Sequence, residues 1–209
     1  MDFPGYEALP RGRHHLTREQ VVASQRERLL QGIIEVVAEK GYVHTSVADV
    51  LKRARISRET FYEHFSDKQA CFLTAFEEGA ALLLEVAAKS AGSTEVPVLE
   101  RFELILSAYL NGLASDPARA RTFLFEVYAA GPAAAARRFE IQRRFVELVN
   151  GVLLEDERWH LLPDPEFACR MVVGGVAALV TGKVAEGDLA GLPALQAPIM
   201  ALVRQLIAR

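Results

Sequence analysis

The sequence predicts an all-α protein, a short N-terminal unit of three helices joined to a larger helical domain. Two observations carry this. Apolar residues recur at the 3.6-residue spacing of helices, and Ser/Thr residues stand three positions ahead of Gln or Asp where those stripes begin. A third is negative: no β-branched run alternates with polar residues over a strand's length, and no Asn-Gly or Asp-Gly hairpin turn occurs.

The first helix is predicted to start after Thr17. Thr17 and Gln20 make a capping box, with Leu16 and Val21 as a hydrophobic staple. Val22, Leu29, Leu30, Ile33, Ile34, Val37 and Ala38 form its apolar stripe. Gly41 stands where a left-handed residue ends a helix. At 1.5 Å per residue the helix is about 35 Å long. A second capping box, Ser46 with Asp49, opens a short helix to about Ala54, with Val47, Val50 and Leu51 inward. Ser57 caps a third, Arg58 to Phe65, whose Phe61 and Phe65 share one face. Ser66 and Gln69 form a further capping box before a long helix toward Ala88. Two helices of about eight residues, joined by a short turn and packed on a longer one, make a helix-turn-helix unit. Beyond it, Pro97, Pro117, Pro132 and Pro165 sit at first-turn positions. Helices are read at 96–114, 117–130, 133–155, 165–185 and 193–208, with a loop at 155–164.

The composition fits a folded chain of 209 residues, 51% hydrophobic and 24% charged. The longest apolar run, Met171 to Val180, is half of the about 20 residues that a membrane span needs. Residues 1–10 carry acids where a signal peptide carries lysines, so the expectation is a cytoplasmic protein with no membrane partner. Cys71 and Cys169 have neither disulfide-framework nor metal-ligand spacing. The net charge of −3 is unevenly spread. Residues 11–68 hold 11 Lys+Arg against 8 Asp+Glu, and residues 69–209 hold 13 against 17. A mildly basic segment ahead of an acidic bulk predicts two parts with different tasks. The expected division is a basic N-terminal arm at 1–16, a helix-turn-helix domain at 17–68 and a second domain at 69–209. The arm, with Arg11, Arg13, His14 and His15, reads equally as a DNA-following strap or a floppy terminus.

The stretch Arg26 to Phe76 resembles the tetracycline-repressor (TetR) family of bacterial regulators. The resemblance rests on Ile33–Ala38, Gly41-Tyr42, Thr45-Ser46-Val47, Ile56-Ser57-Arg58, Thr60-Phe61-Tyr62-Glu63-His64-Phe65, Lys68, Phe72 and Phe76. It implies a DNA-binding domain followed by a ligand-binding and dimerisation domain. The residues agree on chemical grounds. A recognition helix needs polar side chains opposite its core anchors, flanked by phosphate binders that fix its register. With Phe61 and Phe65 inward, Glu59, Thr60, Glu63 and His64 point away and Arg58 and Tyr62 lie on the flank. Arg58 can reach guanine O6/N7, and Glu59 can accept from cytosine N4. Ser46, at a helix N-terminus, suits a phosphate. The expected DNA-binding set is Thr45, Ser46, Ser57, Arg58, Glu59, Thr60, Tyr62, His64 and Lys68. Arg55 stands where the family usually has glycine, at a cost of roughly 1 kcal/mol for a left-handed residue. Glu59 and Glu63 put two negative charges on the helix that faces DNA.

Downstream, Phe102, Tyr109, Phe123, Glu126, Tyr128 and Phe145 are the candidate lining of a ligand pocket, and each aromatic also suits an ordinary core. Glu126 either pairs with a buried arginine such as Arg121 or meets a ligand. The segment from Met171 to Val180 is apolar all round, with Leu195, Ile199, Leu202, Val203, Leu206 and Ile207 striping the last helix. Such helices need cover on every side. A two-fold dimer through Met171, Gly174, Gly175, Ala178, Leu179, Leu195, Ile199, Leu202, Val203 and Leu206 supplies it and spaces two recognition helices one DNA turn (~34 Å) apart. The expectation is a regulator, by resemblance a repressor, that binds a palindromic operator as a homodimer and is released by a small apolar or amphipathic effector. The alternative is a non-enzymatic small-molecule-binding dimer with vestigial DNA recognition. No nucleophile elbow, phosphate loop, dinucleotide fingerprint or His-Glu-x-x-His occurs, so no enzyme activity, catalytic residue, metal or cofactor is expected.

Overall fold

The computed structural model describes residues 17–208, among which there are nine α-helices, three short 3-10 turns and no strand. Leu16 and the arm at 1–16 lie outside them. Helix α1 (Arg18–Lys40) begins as its capping box requires: Thr17 Oγ1 accepts the Gln20 N–H and Gln20 Oε1 accepts the Thr17 N–H. Val21 and Val22 are exposed, so the apolar stripe meets the core only from Leu29 onward. Gly41 stops the helix at φ +78°, ψ 155°, a positive-φ conformation outside the left-handed helical well.

Helix α2 (Val47–Ala54) is opened by the Ser46–Asp49 box and closed by Arg55 at φ 55°, ψ 48°. Helix α3 (Arg58–His64) is capped by Ser57, whose Oγ accepts the Thr60 N–H. The third expected box is shifted by one residue. Asp67, not Ser66, caps α4 (Lys68–Ser90), its side chain accepting the Ala70 N–H at 2.8 Å. Gln69 instead donates to the Ala130 carbonyl, 61 positions away.

The second half consists of α5 (Val98–Ser115), α6 (Pro117–Leu124), α7 (Pro132–Leu153), α8 (Pro165–Ala185) and α9 (Gln196–Leu206). Pro117, Pro132 and Pro165 occupy first-turn positions, whereas Pro97 is the N-cap one residue earlier. The helix expected over 117–130 breaks after Leu124 into a 3-10 turn, Glu126–Ala130, that Gly131 ends at φ +97°. The expected loop at 155–164 carries a 3-10 turn around the fully buried Trp159, whose indole N–H donates to the Pro165 carbonyl.

Two cores meet along α4. The first gathers α1, α2, α3 and the first half of α4 around Leu29, Ile33, Val37, Phe61, Phe72 and Phe76, and takes in Phe123, Val127 and Ala130 from the other half of the chain. The second packs Leu83, Phe102, Leu110, Leu153, Trp159, Val180 and Met200. Gly79 lies at the junction, where a Cβ would stand 2.4 Å from the Phe123 ring. Only glycine lets that ring seat against α4. Cys71 and Cys169 are buried apolar filler, and burial holds their thiols protonated, pushed up to about 12 and about 11.

Candidate nucleic-acid interface and internal cavity

Phe61 is the anchor that orients α3. Fully buried, it meets Phe65 and Tyr62 at ring distances of 5.9 and 5.3 Å. The opposite face then carries Arg58, Glu59 and Glu63, all exposed, with Tyr62 half-exposed and Thr60 and His64 partly covered. This is the polar face expected for the recognition helix. His64 reaches back to Gln25 on α1 at 3.5 Å.

Several of the expected contact residues are already engaged. Thr45 is buried, and its hydroxyl donates to the Gly41 carbonyl at 2.8 Å. The Lys68 ammonium donates to the carbonyls of Tyr42 and Thr45 at 2.9 and 2.8 Å and lies 4.0 Å from the centre of the Tyr42 ring. Both residues therefore hold the turn before α2 in shape, Thr45 through its hydroxyl and Lys68 through two of its three N–H donors. Burial also lowers the Lys68 pKa. Ser46 is exposed, yet its hydroxyl is bound to Asp49, whose carboxylate sits at the α2 N-terminus. Lys40 and Ser46 hold that carboxyl far below the usual range. Ser57 likewise spends its hydroxyl on Thr60.

The basic excess is partly spent inside the domain. Arg26 pairs with Glu78, and Lys40 with Asp49 at 2.5 Å. Arg53 bridges Glu35 and Glu39 at 2.9 and 2.6 Å, which ties α2 to α1 and raises its own pKa. Composition shows the count of charges, but only the fold shows which of them are neutralised.

Behind this unit lies a cavity of about 80 Å³. Four of the expected residues, Phe102, Tyr109, Phe123 and Phe145, line it, and Tyr109 packs edge-on against Phe145 at 5.2 Å. Glu126 and Tyr128 do not. Glu126 turns the other way, accepting the Tyr42 N–H at 3.0 Å and pairing with Arg121 at 3.4 Å. Tyr128 is half-exposed because the 3-10 turn that follows α6 rotates it outward. Glu126, not the half-exposed Arg121, is the buried partner of that pair. Among the lining residues that the sequence reading missed are Phe76, Arg138, Gln142, Val172, Val173 and Val176, from α4, α7 and α8. Arg138 and Gln142 sit in α7, whose charged sequence hides a cavity-facing side.

The apolar residues of α8 and α9 divide between inside and outside. Ile199 and Val203 are buried in the chain's own second core, and Leu195 packs against it. These three, expected at a dimer interface, pack instead on the chain's own core. Met171, Gly175, Ala178, Leu179, Leu202 and Leu206 are exposed, and nothing lies within 4 Å of a Cβ built at Gly174 or Gly175. Helix α8 is long and apolar enough to span a bilayer by composition, and most of its apolar stretch is not buried within the chain. An apolar face of that size calls for a partner surface.

Residues 29–75 match the family model of the bacterial regulatory proteins of the tetR family. The chain is 22% identical over 179 residues to the fatty acid metabolism regulator protein of Bacillus subtilis, spanning 84% of this chain and 92% of that one. It is 46% identical over 44 residues to the uncharacterised regulator YvdT of the same organism, 21% of this chain and 23% of that. Among solved structures, the regulator FadR from B. subtilis in complex with stearoyl-CoA superposes with a TM-score of 0.75 at 22% identity, over 87% of this chain and 97% of that one. A TetR-like regulator from Rhodococcus sp. RHA1 gives 0.71 at 18% identity, over 93% and 100%. Fold and matches together define a helix-turn-helix transcriptional regulator. Residues 29–75 place the helix-turn-helix unit in the TetR family.

Proposed function

We propose that the protein is a repressor that binds a palindromic operator as a homodimer and is released by an effector carrying an apolar chain of the acyl type. One observation carries this reading: the cavity and the DNA-binding core share walls. Phe76 and Phe123 line the cavity and are also members of the core that holds α1, α2 and α3. At about 80 Å³ the cavity is smaller than the ~300–1,000 Å³ of most ligand pockets. A chain entering it parts the helices, and those two rings carry the displacement to the DNA-binding unit. The shift is bounded by the effector's differential affinity for the two conformations. The B. subtilis FadR in complex with stearoyl-CoA, with the same fold, supports an acyl effector.

In this reading residues 17–68 bind DNA and residues 69–209 hold the effector and the dimer contact. Arg58 and Glu59 read bases, while Tyr62, His64 and Thr60 face the backbone. The exposed residues of α8 and α9 form the isologous interface, and the protein works in the cytoplasm. Lys68 and Thr45 act by shaping the turn before α2.

Glu59 and Glu63, both exposed on α3, favour the second reading, a small-molecule-binding dimer with vestigial DNA recognition. Selection from a pool of randomised duplexes, read by fluorescence anisotropy across a salt series, separates the two. A recovered palindrome with a steep salt slope supports the regulator, and weak, sequence-blind binding supports the alternative.

A further inference from the structure

We propose that the cavity takes an amphipathic monocarboxylate head-inward, its carboxylate on Arg138 inside the protein and its alkyl chain along the apolar wall. This deepens the acyl-effector reading and rests on it.

The observation is an uncompensated cation. Arg138 is 8% exposed and lines the cavity, its Nε is buried with no hydrogen-bond partner, and no acid among the described residues pairs with it. The other buried arginine, Arg101, pairs with Glu155. Near Arg138 on α7, Glu140 is taken by Arg137 and Arg144. A guanidinium removed from water without a counter-ion is costly, because its charge cannot be shed by deprotonation. An anion that enters with its own apolar tail relieves that cost and displaces little water.

The surroundings select the anion. Leu106, Phe145, Val172 and Val176 offer apolar contact, so a second negative charge has nothing to neutralise it. One carboxylate matches one guanidinium in charge and in forked geometry, whereas a phosphate dianion does not. Tyr109 stands in the same wall and feels the Arg138 charge. Burial raises its phenol pKa against the lowering pull of Arg138, which keeps it a protonated donor beside the same head group. Gln142 adds an amide one turn further along α7.

Isothermal titration of the full chain at neutral pH with dodecanoate, dodecanol and dodecanoyl-CoA tests this. Dodecanoate should bind at least about tenfold tighter than dodecanol. Arg138→Met should erase that preference and leave dodecanol unchanged, while the ligand-free variant melts no lower than the parent, because an unpaired buried charge has gone. If Arg138→Met does not fold, Arg138→Lys, which keeps the charge and loses the fork, should weaken dodecanoate selectively. Dodecanoate binding no tighter than dodecanol, or equal losses of both ligands in the variant, overturns the proposal. Dodecanoyl-CoA releasing operator DNA while dodecanoate is inert also overturns it and leaves the acyl-effector reading standing. No binding of any of the three by protein that still holds its operator overturns that reading as well.

Discussion

The Glu126 carboxylate accepts the backbone N–H of Tyr42 at 3.0 Å, joining residues 84 positions apart in the chain. Tyr42 lies in the turn that delivers α2, and Glu126 lies just past α6, whose Phe123 and Leu124 line the cavity. The same carboxylate packs at 3.3 Å from where a Gly41 Cβ would be. With Lys68 on the Tyr42 and Thr45 carbonyls and Gln69 on Ala130, it makes a polar seam between the DNA-binding turn and the effector half.

Glu126→Ala leaves the buried Tyr42 N–H without an acceptor, and an orphaned buried donor costs about 1–3 kcal/mol. Urea denaturation should report a loss in that range. In operator binding, the variant should lose most of its response to effector while retaining DNA affinity. An unchanged response would show that the seam is only structural.

Gly79→Ala drives a methyl group into the Phe123 ring, whose Cζ lies 2.4 Å from the ideal Cβ position. Phe123 must swing away from Phe76, its edge-on neighbour at 5.2 Å. Overpacking of this kind costs about 1–3 kcal/mol. Because the displaced ring lines the cavity, effector affinity should change as well, measured by titration calorimetry against the parent. A stability loss with unaltered effector binding would separate Phe123 from the site.

Arg55→Gly should stabilise the protein. Arg55 is the one non-glycine residue with positive φ among the described residues, and it holds a left-handed conformation that costs an L-residue roughly 1–2 kcal/mol. Glycine returns part of that gain through the greater freedom of its unfolded chain. The net expectation is an increase of about 0.5–1 kcal/mol, seen as a rise of a few degrees in Tm.

Asp49→Asn should lower the urea midpoint at neutral pH, since Asp49 both closes the α2 capping box and pairs with Lys40. The folded state depresses the Asp49 pKa, first through the Lys40 hydrogen bond and then through Ser46. Its contribution is therefore fully present above the ordinary value of 3.8 and is lost as pH falls from there toward the folded-state value. Midpoints of parent and variant should converge below pH 3.8, and a gap that widened on acidification would contradict the pairing.

What was legible in the sequence followed from local rules. Capping boxes at Thr17–Gln20 and Ser46–Asp49, the first-turn prolines Pro117, Pro132 and Pro165 and the Phe61–Phe65 face each depend on residues a few positions apart, and the fold carries them as read. The departures come from long-range partners. Lys68, placed like a phosphate contact in sequence, also donates to two carbonyls more than twenty positions upstream, which spacing does not reveal. Glu126 resembles a pocket acid until the Tyr42 amide turns it away. Ile199 and Val203 fit an interface stripe by spacing, but α9 is amphipathic and uses them on its own core. Arg138 gave no local signal, since its charge reads as a solvated helix face until burial is known.

Filling the cavity should release DNA. The most direct measurement is fluorescence anisotropy of a selected palindromic duplex bound to the full chain at fixed salt, titrated with dodecanoate and dodecanoyl-CoA. Release by at least one of them is expected, with a midpoint matching its calorimetric affinity, and a loss of that release in Glu126→Ala. Tight occupancy of the cavity with the duplex still fully bound would contradict it.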